Sequence, residues 1–124
     1  MKEKMSTVVK SQVLDFGKMV DYQEGAVVSR QVIKAEAGNV TLFAFDLGQE
    51  LSEHTAPYDA LVEILEGRCA VKISGNEHEL NSGQAIVMPA NEPHALRAVE
   101  KFKMLLTMIR DFPHPSPSPK AGGE

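Results

Sequence analysis

Two blocks that begin with a glycine, each carrying one histidine, constrain this chain more than any other part of its sequence. The first block spans residues 48–67 and contains His54, and the second spans residues 83–94 and ends on His94. Runs of β-branched and apolar residues stop at the glycines, which is typical of short strands joined by tight turns. The blocks therefore predict strands and turns, and they single out two histidines as candidates for chemistry.

The rest of the chain has the same short strand pattern. In residues 68–74, Cys69, Val71 and Ile73 alternate with polar side chains, which predicts a strand with one buried face. Further strands are predicted at residues 27–34, 40–47, 60–65, 78–80, 84–88, 94–99 and 102–109. Roughly eight to ten short strands with frequent turns indicate an all-β sandwich or barrel.

Two segments allow alternatives. Residues 102–109 are apolar on both faces, so we interpret them as a strand covered on both sides, with a helix as the alternative. Covering both faces of that strand requires a partner chain or a second sheet. Residues 13–21 are compatible with an N-terminal strand or with a short turn of helix.

Length and composition predict one domain with three parts. The 124 residues suit a single domain, and a hydrophobic fraction of 43% is enough for a packed core. We expect an N-terminal arm at residues 1–26, a β-barrel domain at residues 27–111 and a proline-rich tail at residues 112–124. Because proline at every second position removes backbone donors, the tail is expected to be extended and disordered.

Charge and cysteine content limit the classes of partner. The net charge of −4 and the scattered basic residues argue against a nucleic-acid partner. No apolar run approaches 18 residues and no secretory signal is evident, so we expect a cytoplasmic protein without a membrane partner. Cys69 is the only cysteine, which excludes an intrachain disulfide, and its place in the alternating strand predicts a buried structural thiol.

The first block resembles the first motif of the cupin superfamily. That motif contains a glycine, a His-x-His pair, a glutamate and a closing glycine, and the histidines and glutamate usually hold a metal ion. Gly48, His54 and Gly67 stand at matching positions. Ala56 occupies the position of the second histidine, and Ala60 occupies that of the glutamate. The glycine frame is therefore intact, while two of the usual metal ligands are alanine.

The second block resembles the second cupin motif. Gly83, Pro89 and His94 match, whereas Asn91 replaces a glycine and Ala98 replaces the closing asparagine. Asparagine is tolerated at such a position because it adopts left-handed backbone conformations more readily than most residues. The resemblance covers residues 27–109 and implies a cupin-type jelly-roll β-barrel, also called a double-stranded β-helix. It also implies a homodimer, which is common among small cupins.

Strand alternation predicts which side chains line the barrel. Because alternate residues share a face, an inward His54 places Ala56, Tyr58 and Ala60 inward as well. Tyr58 then either donates its hydroxyl to a ligand or packs at the rim of the pocket. Asp59 points the other way, so it is a weaker third candidate for a metal ligand that requires a β-bulge. The methionines at positions 88, 104 and 108 are interpreted as core filling.

His54 and His94 are the candidate metal ligands, and two interpretations of the pair remain open. A catalytic site normally has three protein ligands, so two histidines predict a weak site for zinc, nickel, iron or manganese that water or a bound acid completes. The alternative is a pair of pocket histidines that hydrogen-bond to water or to a ligand.

Three functions follow from this pattern, and no catalytic residue is assigned. The first is a small barrel that binds a small molecule and a weakly held divalent metal. The second is a metal-dependent enzyme of the dioxygenase or isomerase type. The third is a structural or regulatory dimer with a vestigial pocket. The fold alone does not choose among them, because one fold hosts many functions.

Overall fold

The chain folds into two β-sheets. The computed structural model describes residues 2–4, 8 and 10–110, so the proline-rich tail at residues 112–124 lies outside the described residues. The described part contains no α-helix. In chain order it has a 3-10 helix at Phe16–Lys18 and the strands β1 (Lys2–Lys4), β2 (Val27–Ala35), β3 (Gly38–Phe45), β4 (Glu50–His54), β5 (Tyr58–Glu66), β6 (Arg68–Ile73), β7 (Asn76–Asn81), β8 (Ala85–Met88), β9 (His94–Ala98) and β10 (Phe102–Arg110).

The strands pair in a jelly-roll arrangement. Sheet A has six strands in the order β1-β2-β3-β10-β5-β8, and sheet B has four in the order β4-β9-β6-β7. Strand β1 is parallel to β2, while the other pairings are antiparallel. The prediction of an all-β cupin-type jelly roll is confirmed. In the described part of the chain, no helix is long and apolar enough to cross a membrane.

The inner faces of the two sheets enclose one apolar core. Val62 and Met104 from sheet A and Val71 from sheet B belong to the same buried cluster. The rings of Phe45 and Phe102, which lie opposite each other on β3 and β10, stack with their centroids 4.4 Å apart. Burial of aromatic rings of this size is the main favourable contribution to such a core.

Cys69 is fully buried in this core, as the alternating pattern of β6 predicts. Burial raises the pKa of its thiol to about 12, because the thiolate would lose its hydration in an apolar environment. The guanidinium of Arg97 acts in the opposite direction. The thiol therefore stays protonated at neutral pH and has the low reactivity of a structural cysteine.

The inner face of β10 is covered by sheet B, as the second-sheet alternative predicts, and the outer face of sheet A is covered by an N-terminal segment of the same chain instead of a partner chain. Val20 is fully buried in a second apolar cluster with Val28 and Leu42, and Leu105 of β10 packs against it. The segment that supplies this cover, residues 16–22, begins with the 3-10 helix, so the short-helix alternative is the correct one. Both faces of β10 are therefore covered within one chain over most of the strand, whereas Ile109 near its end is exposed.

Two cationic side chains of sheet A hold this segment in place. Lys103, which is almost fully buried, donates from Nζ to the carbonyl oxygen of Gly17 at 2.6 Å. Arg30 donates from Nη1 to the carbonyl oxygen of Met19 at 3.2 Å. Such charge-assisted bonds compensate part of the cost of removing the cations from water. They fasten residues 16–22 to the barrel wall.

One element boundary differs from the prediction. Strand alternation from His54 to Ala60 predicts one continuous run of inward-facing residues, but the structure divides this stretch between β4 in sheet B and β5 in sheet A. The chain passes from one sheet to the other around Pro57, which has no backbone N–H to donate to a strand ladder. The alternation nevertheless survives the crossing, because alternate residues on both sides of Pro57 face the same cavity.

Candidate functional site

Strand pairing brings the two motif histidines into contact. His54 is the last residue of β4, His94 is the first residue of β9, and the two are directly opposite each other in the ladder. Their Nε2 atoms lie 3.2 Å apart, and their ring planes meet at 68°. His94 is buried, whereas His54 is exposed at the mouth of the barrel. The fold therefore converts two distant motif positions into one site.

The turn before β9 sets the position of His94. Asn91 has a φ of 66°, so it adopts the left-handed conformation that its place in the second motif predicts. Its backbone N–H donates to the carbonyl oxygen of Ala56 at 2.8 Å. This bond ties the second block to the link between β4 and β5, and it holds the two histidine-bearing elements together.

Asp59, the weaker third candidate, has a different contact. Its Oδ1 accepts a hydrogen bond from the backbone N–H of Ala90 at 2.9 Å. Across the described residues, no three histidine, cysteine, aspartate or glutamate side chains are grouped so that they could hold a metal ion. Asp59 therefore does not complete a three-residue set with His54 and His94 in this structure.

Backbone carbonyls determine the tautomers of both histidines. Nδ1 of His54 lies 2.8 Å from the carbonyl oxygen of Ser52, and Nδ1 of His94 lies 3.1 Å from that of Glu92. A carbonyl oxygen only accepts hydrogen bonds, so both Nδ1 atoms carry the hydrogen. In the neutral rings, each Nε2 then carries a lone pair and no hydrogen, so neither ring donates a hydrogen bond across the 3.2 Å contact. Such an arrangement is favourable only when a proton or a metal ion lies between them.

His94 is held in its neutral form at neutral pH. Burial lowers its pKa below the ordinary value, because the imidazolium would lose hydration. The hydrogen bond to Glu92 opposes this effect, while a positive charge on nearby His54 adds to it. A neutral imidazole with its Nδ1 anchored is the form that binds a metal ion through Nε2.

The two histidines stand at one end of a small apolar cavity of about 50 Å³. The predicted pocket residues Ala56, Tyr58 and Ala60 line it together with His54 and His94. The other lining residues are apolar, namely Leu51, Met88, Leu96, Met104, Leu106 and Met108. None of the described lining residues is acidic. The fold therefore brings every predicted pocket and histidine position together, with a neutral lining.

Tyr58 lies where its hydroxyl can take part in polar contacts. Its phenol oxygen accepts a hydrogen bond from Nη2 of Arg110 at 3.3 Å, and the guanidinium lies 5.2 Å from the centre of its ring. A cation in this position interacts favourably with the negative face of an aromatic ring. These contacts hold Tyr58 against the end of β10 while it lines the cavity.

Three methionines line this cavity, and they also belong to the buried core or pack against it, in agreement with the prediction of core filling. The inward face of β10 carries Met104 and Met108, and Met88 lies at the end of β8. Strand alternation could have placed Met104 and Met108 on one face, but only the register of the sheet shows which strands adjoin the histidines. The position of these methionines in the same cavity as the histidines is therefore what the sequence pattern alone does not reveal.

The donor atoms fit a transition-metal ion. Bonds from imidazole nitrogen to such ions are about 2.0–2.1 Å long, so two nitrogens 3.2 Å apart subtend roughly 100° at the ion. This angle is close to that of two adjacent corners of a tetrahedron. His54 and His94 would thus supply two ligands without a change in their separation.

Comparison with known proteins identifies the fold family. The cupin domain family model matches residues 41–110. A conserved protein of unknown function from Streptococcus pyogenes is 38% identical, with 86% of this chain and 96% of that chain covered and a TM-score of 0.79. A cupin 2 conserved barrel domain protein from Leptotrichia buccalis is 37% identical, with 76% of this chain and 46% of that chain covered and a TM-score of 0.74.

A curated relative is a polyketide synthase protein, CurC, from Streptomyces cyaneus. It is 30% identical over 87 residues, which cover 68% of this chain. The chain spans 56% of the length of that relative.

Proposed function

The chain belongs to the cupin domain family, and on that basis we propose that it is a small-molecule-binding protein whose barrel holds a weakly bound transition-metal ion on His54 and His94. The observation that carries this proposal is the approach of the two Nε2 atoms to 3.2 Å while both Nδ1 atoms are anchored on carbonyl oxygens. Two lone pairs fixed in this way form a site for a cation.

The affinity is expected to be low for a divalent ion. Both protein ligands are neutral, and the alanines at positions 56 and 60 supply no donor where the family motif has a histidine and a glutamate. Zinc, nickel, iron and manganese accept imidazole ligands, and water or a small ligand would occupy their remaining positions. A bound ion would supply a Lewis-acid position for one donor atom of that ligand.

The size of the cavity limits which part of a ligand can enter it. A volume of about 50 Å³ accommodates one or two water-sized groups, whereas pockets for complete small molecules occupy several hundred Å³. We therefore expect a ligand that places a small polar group, such as a carboxylate, beside the histidines. The rest of the ligand would remain at the mouth, near Tyr58.

Calorimetric titration with zinc and with nickel tests the metal site. The native protein should bind one ion per chain, and His54→Ala and His94→Ala should each weaken binding at least tenfold because each removes one of two ligands. His78→Ala is the matched control, since this histidine is exposed on β7 at the edge of sheet B and does not line the cavity. Binding that survives in both motif variants, or that is lost with His78, would exclude the proposed site.

A further inference from the structure

We propose that the preferred ion of this cavity is monovalent copper, held by His54 and His94 together with the thioether sulfurs of Met88 and Met108. This inference rests on the proposed function, because it takes the two histidines as metal ligands. The observation behind it is that both methionines line the same cavity as the histidines. Met88 is almost fully buried and Met108 is half-buried, so both side chains face the interior.

The register of sheet A places these two methionines on either side of Ala60. Met88 of β8 is the direct partner of Ala60 on one side, and Met108 of β10 is its direct partner on the other. Directly opposed residues on one face of a sheet have Cβ atoms about 4.5–5.5 Å apart. The position where the first motif would carry a glutamate is therefore an alanine flanked by two sulfur-bearing side chains.

The charge of the site favours a monovalent ion. Imidazole and thioether groups are neutral ligands, and no acidic side chain is among the described residues that line the cavity. Transferring an ion from water into an apolar site is costly unless opposite charge compensates, and this cost rises steeply with the ion's charge. A divalent ion would keep its full charge here, so the lining discriminates against zinc, nickel, iron and manganese.

The softness of the donor atoms points to the same ion. Thioether sulfur is a soft ligand that selects monovalent copper, whereas hard divalent ions prefer oxygen donors. The small cavity also suits an ion that does not need a large shell of water molecules. A site with two imidazoles and two thioethers satisfies such an ion with protein atoms alone.

Competition with bathocuproine disulfonate under anaerobic conditions, with ascorbate present, measures the copper affinity of the complete chain. The native protein should withdraw one equivalent of monovalent copper from this chelator and bind it at least a hundredfold more tightly than zinc. The double variant Met88→Leu, Met108→Leu should lose at least tenfold in copper affinity and show no sulfur neighbour in copper X-ray absorption. Leucine has nearly the volume of methionine, so this variant retains the packing.

Two comparisons separate the possible failures. Met19→Leu is the control, because Met19 packs against the cluster on the outer face of sheet A and does not line the cavity, so it should leave copper affinity unchanged. Zinc affinity should be equal in the native protein and the double variant. The inference is wrong if zinc binds to the histidines and copper binds no more tightly than zinc. It is also wrong if the double variant has the copper affinity of the native protein. In both cases the proposed function stands. If neither metal depends on His54 and His94, both are wrong.

Discussion

At the scale of single residues, backbone conformation explains several positions of the two motifs. Gly67 has a φ of 87°, and a Cβ at this position would lie 1.9 Å from the carbonyl oxygen of Lys101. Gly83 has the same φ, yet a Cβ there would meet no atom within 4 Å. Both positions favour glycine because of the left-handed conformation, but only Gly67 also requires glycine for space.

Substitution of these two glycines separates the cost of the left-handed conformation from the cost of the missing space for a Cβ. Gly83→Ala should lower the free energy of unfolding by about 1–2 kcal/mol, the usual cost of a left-handed conformation for a residue with a Cβ. Gly67→Ala should cost about 1–3 kcal/mol more, because the close carbonyl forces a shift of the backbone. Urea unfolding of both variants measures the difference. Equal losses in the two variants would show that the close approach to Lys101 does not exist.

The predictability of the site also differs from residue to residue. The sequence was sufficient to nominate His54, Ala56, Tyr58, Ala60 and His94, because strand alternation and motif spacing are local properties. It was insufficient for Met88 and Met108, whose position beside Ala60 depends on which strands are neighbours in sheet A. The orientation of the imidazole rings could not be predicted from the sequence either, because it depends on contacts with the carbonyl oxygens two residues before each histidine.

At the scale of elements, the N-terminal segment is the main departure from the sequence prediction. The sequence predicts an N-terminal arm at residues 1–26, but residues 16–22 pack on the outer face of β2, β3 and β10. Short segments of this kind have weak periodicity, so a sequence pattern does not reveal the surface against which they pack. Strand β4 was missed for a related reason, since four of its five residues are exposed.

Two valines test whether this segment contributes to stability. Val20 is fully buried, whereas Val13 is fully exposed just before the 3-10 helix. Val20→Ala should lower the free energy of unfolding by about 2 kcal/mol, because it removes buried methyl groups and leaves a cavity. Val13→Ala should change it by less than about 0.5 kcal/mol. Chemical denaturation that shows no difference between the variants would mean that the segment is detached in solution.

At the scale of the whole molecule, the all-β jelly roll was predictable because its signals are repeated along the chain. Short alternating strands, turns between them and the paired glycine frames all indicate the same architecture. The oligomeric state has no such repeated signal. The two-sided apolar pattern of β10 was one reason to expect a partner chain, but residues 16–22 cover its outer face. A smaller apolar surface on sheet A stays exposed.

We propose that this surface, which includes Ile33 and Ile109, is the contact in a homodimer. Both side chains are more than half exposed, and they line one shallow groove at the end of sheet A. A twofold axis through such a patch would bury the same isoleucines on both copies. Ile109→Asp should therefore shift a dimer toward monomer in light scattering. Leu47→Asp, a control at an equally exposed leucine, should not. A native protein that is monomeric at micromolar concentration contradicts the proposal.

The most direct test of the metal site is anomalous diffraction from crystals of the zinc-loaded protein. We predict one peak per chain at bonding distance, about 2.0–2.1 Å, from Nε2 of both His54 and His94. The two Nδ1 atoms should remain on the carbonyl oxygens of Ser52 and Glu92. A peak bound by other residues such as His78, or no peak beside the paired histidines, would contradict the central claim that these two side chains form a metal site.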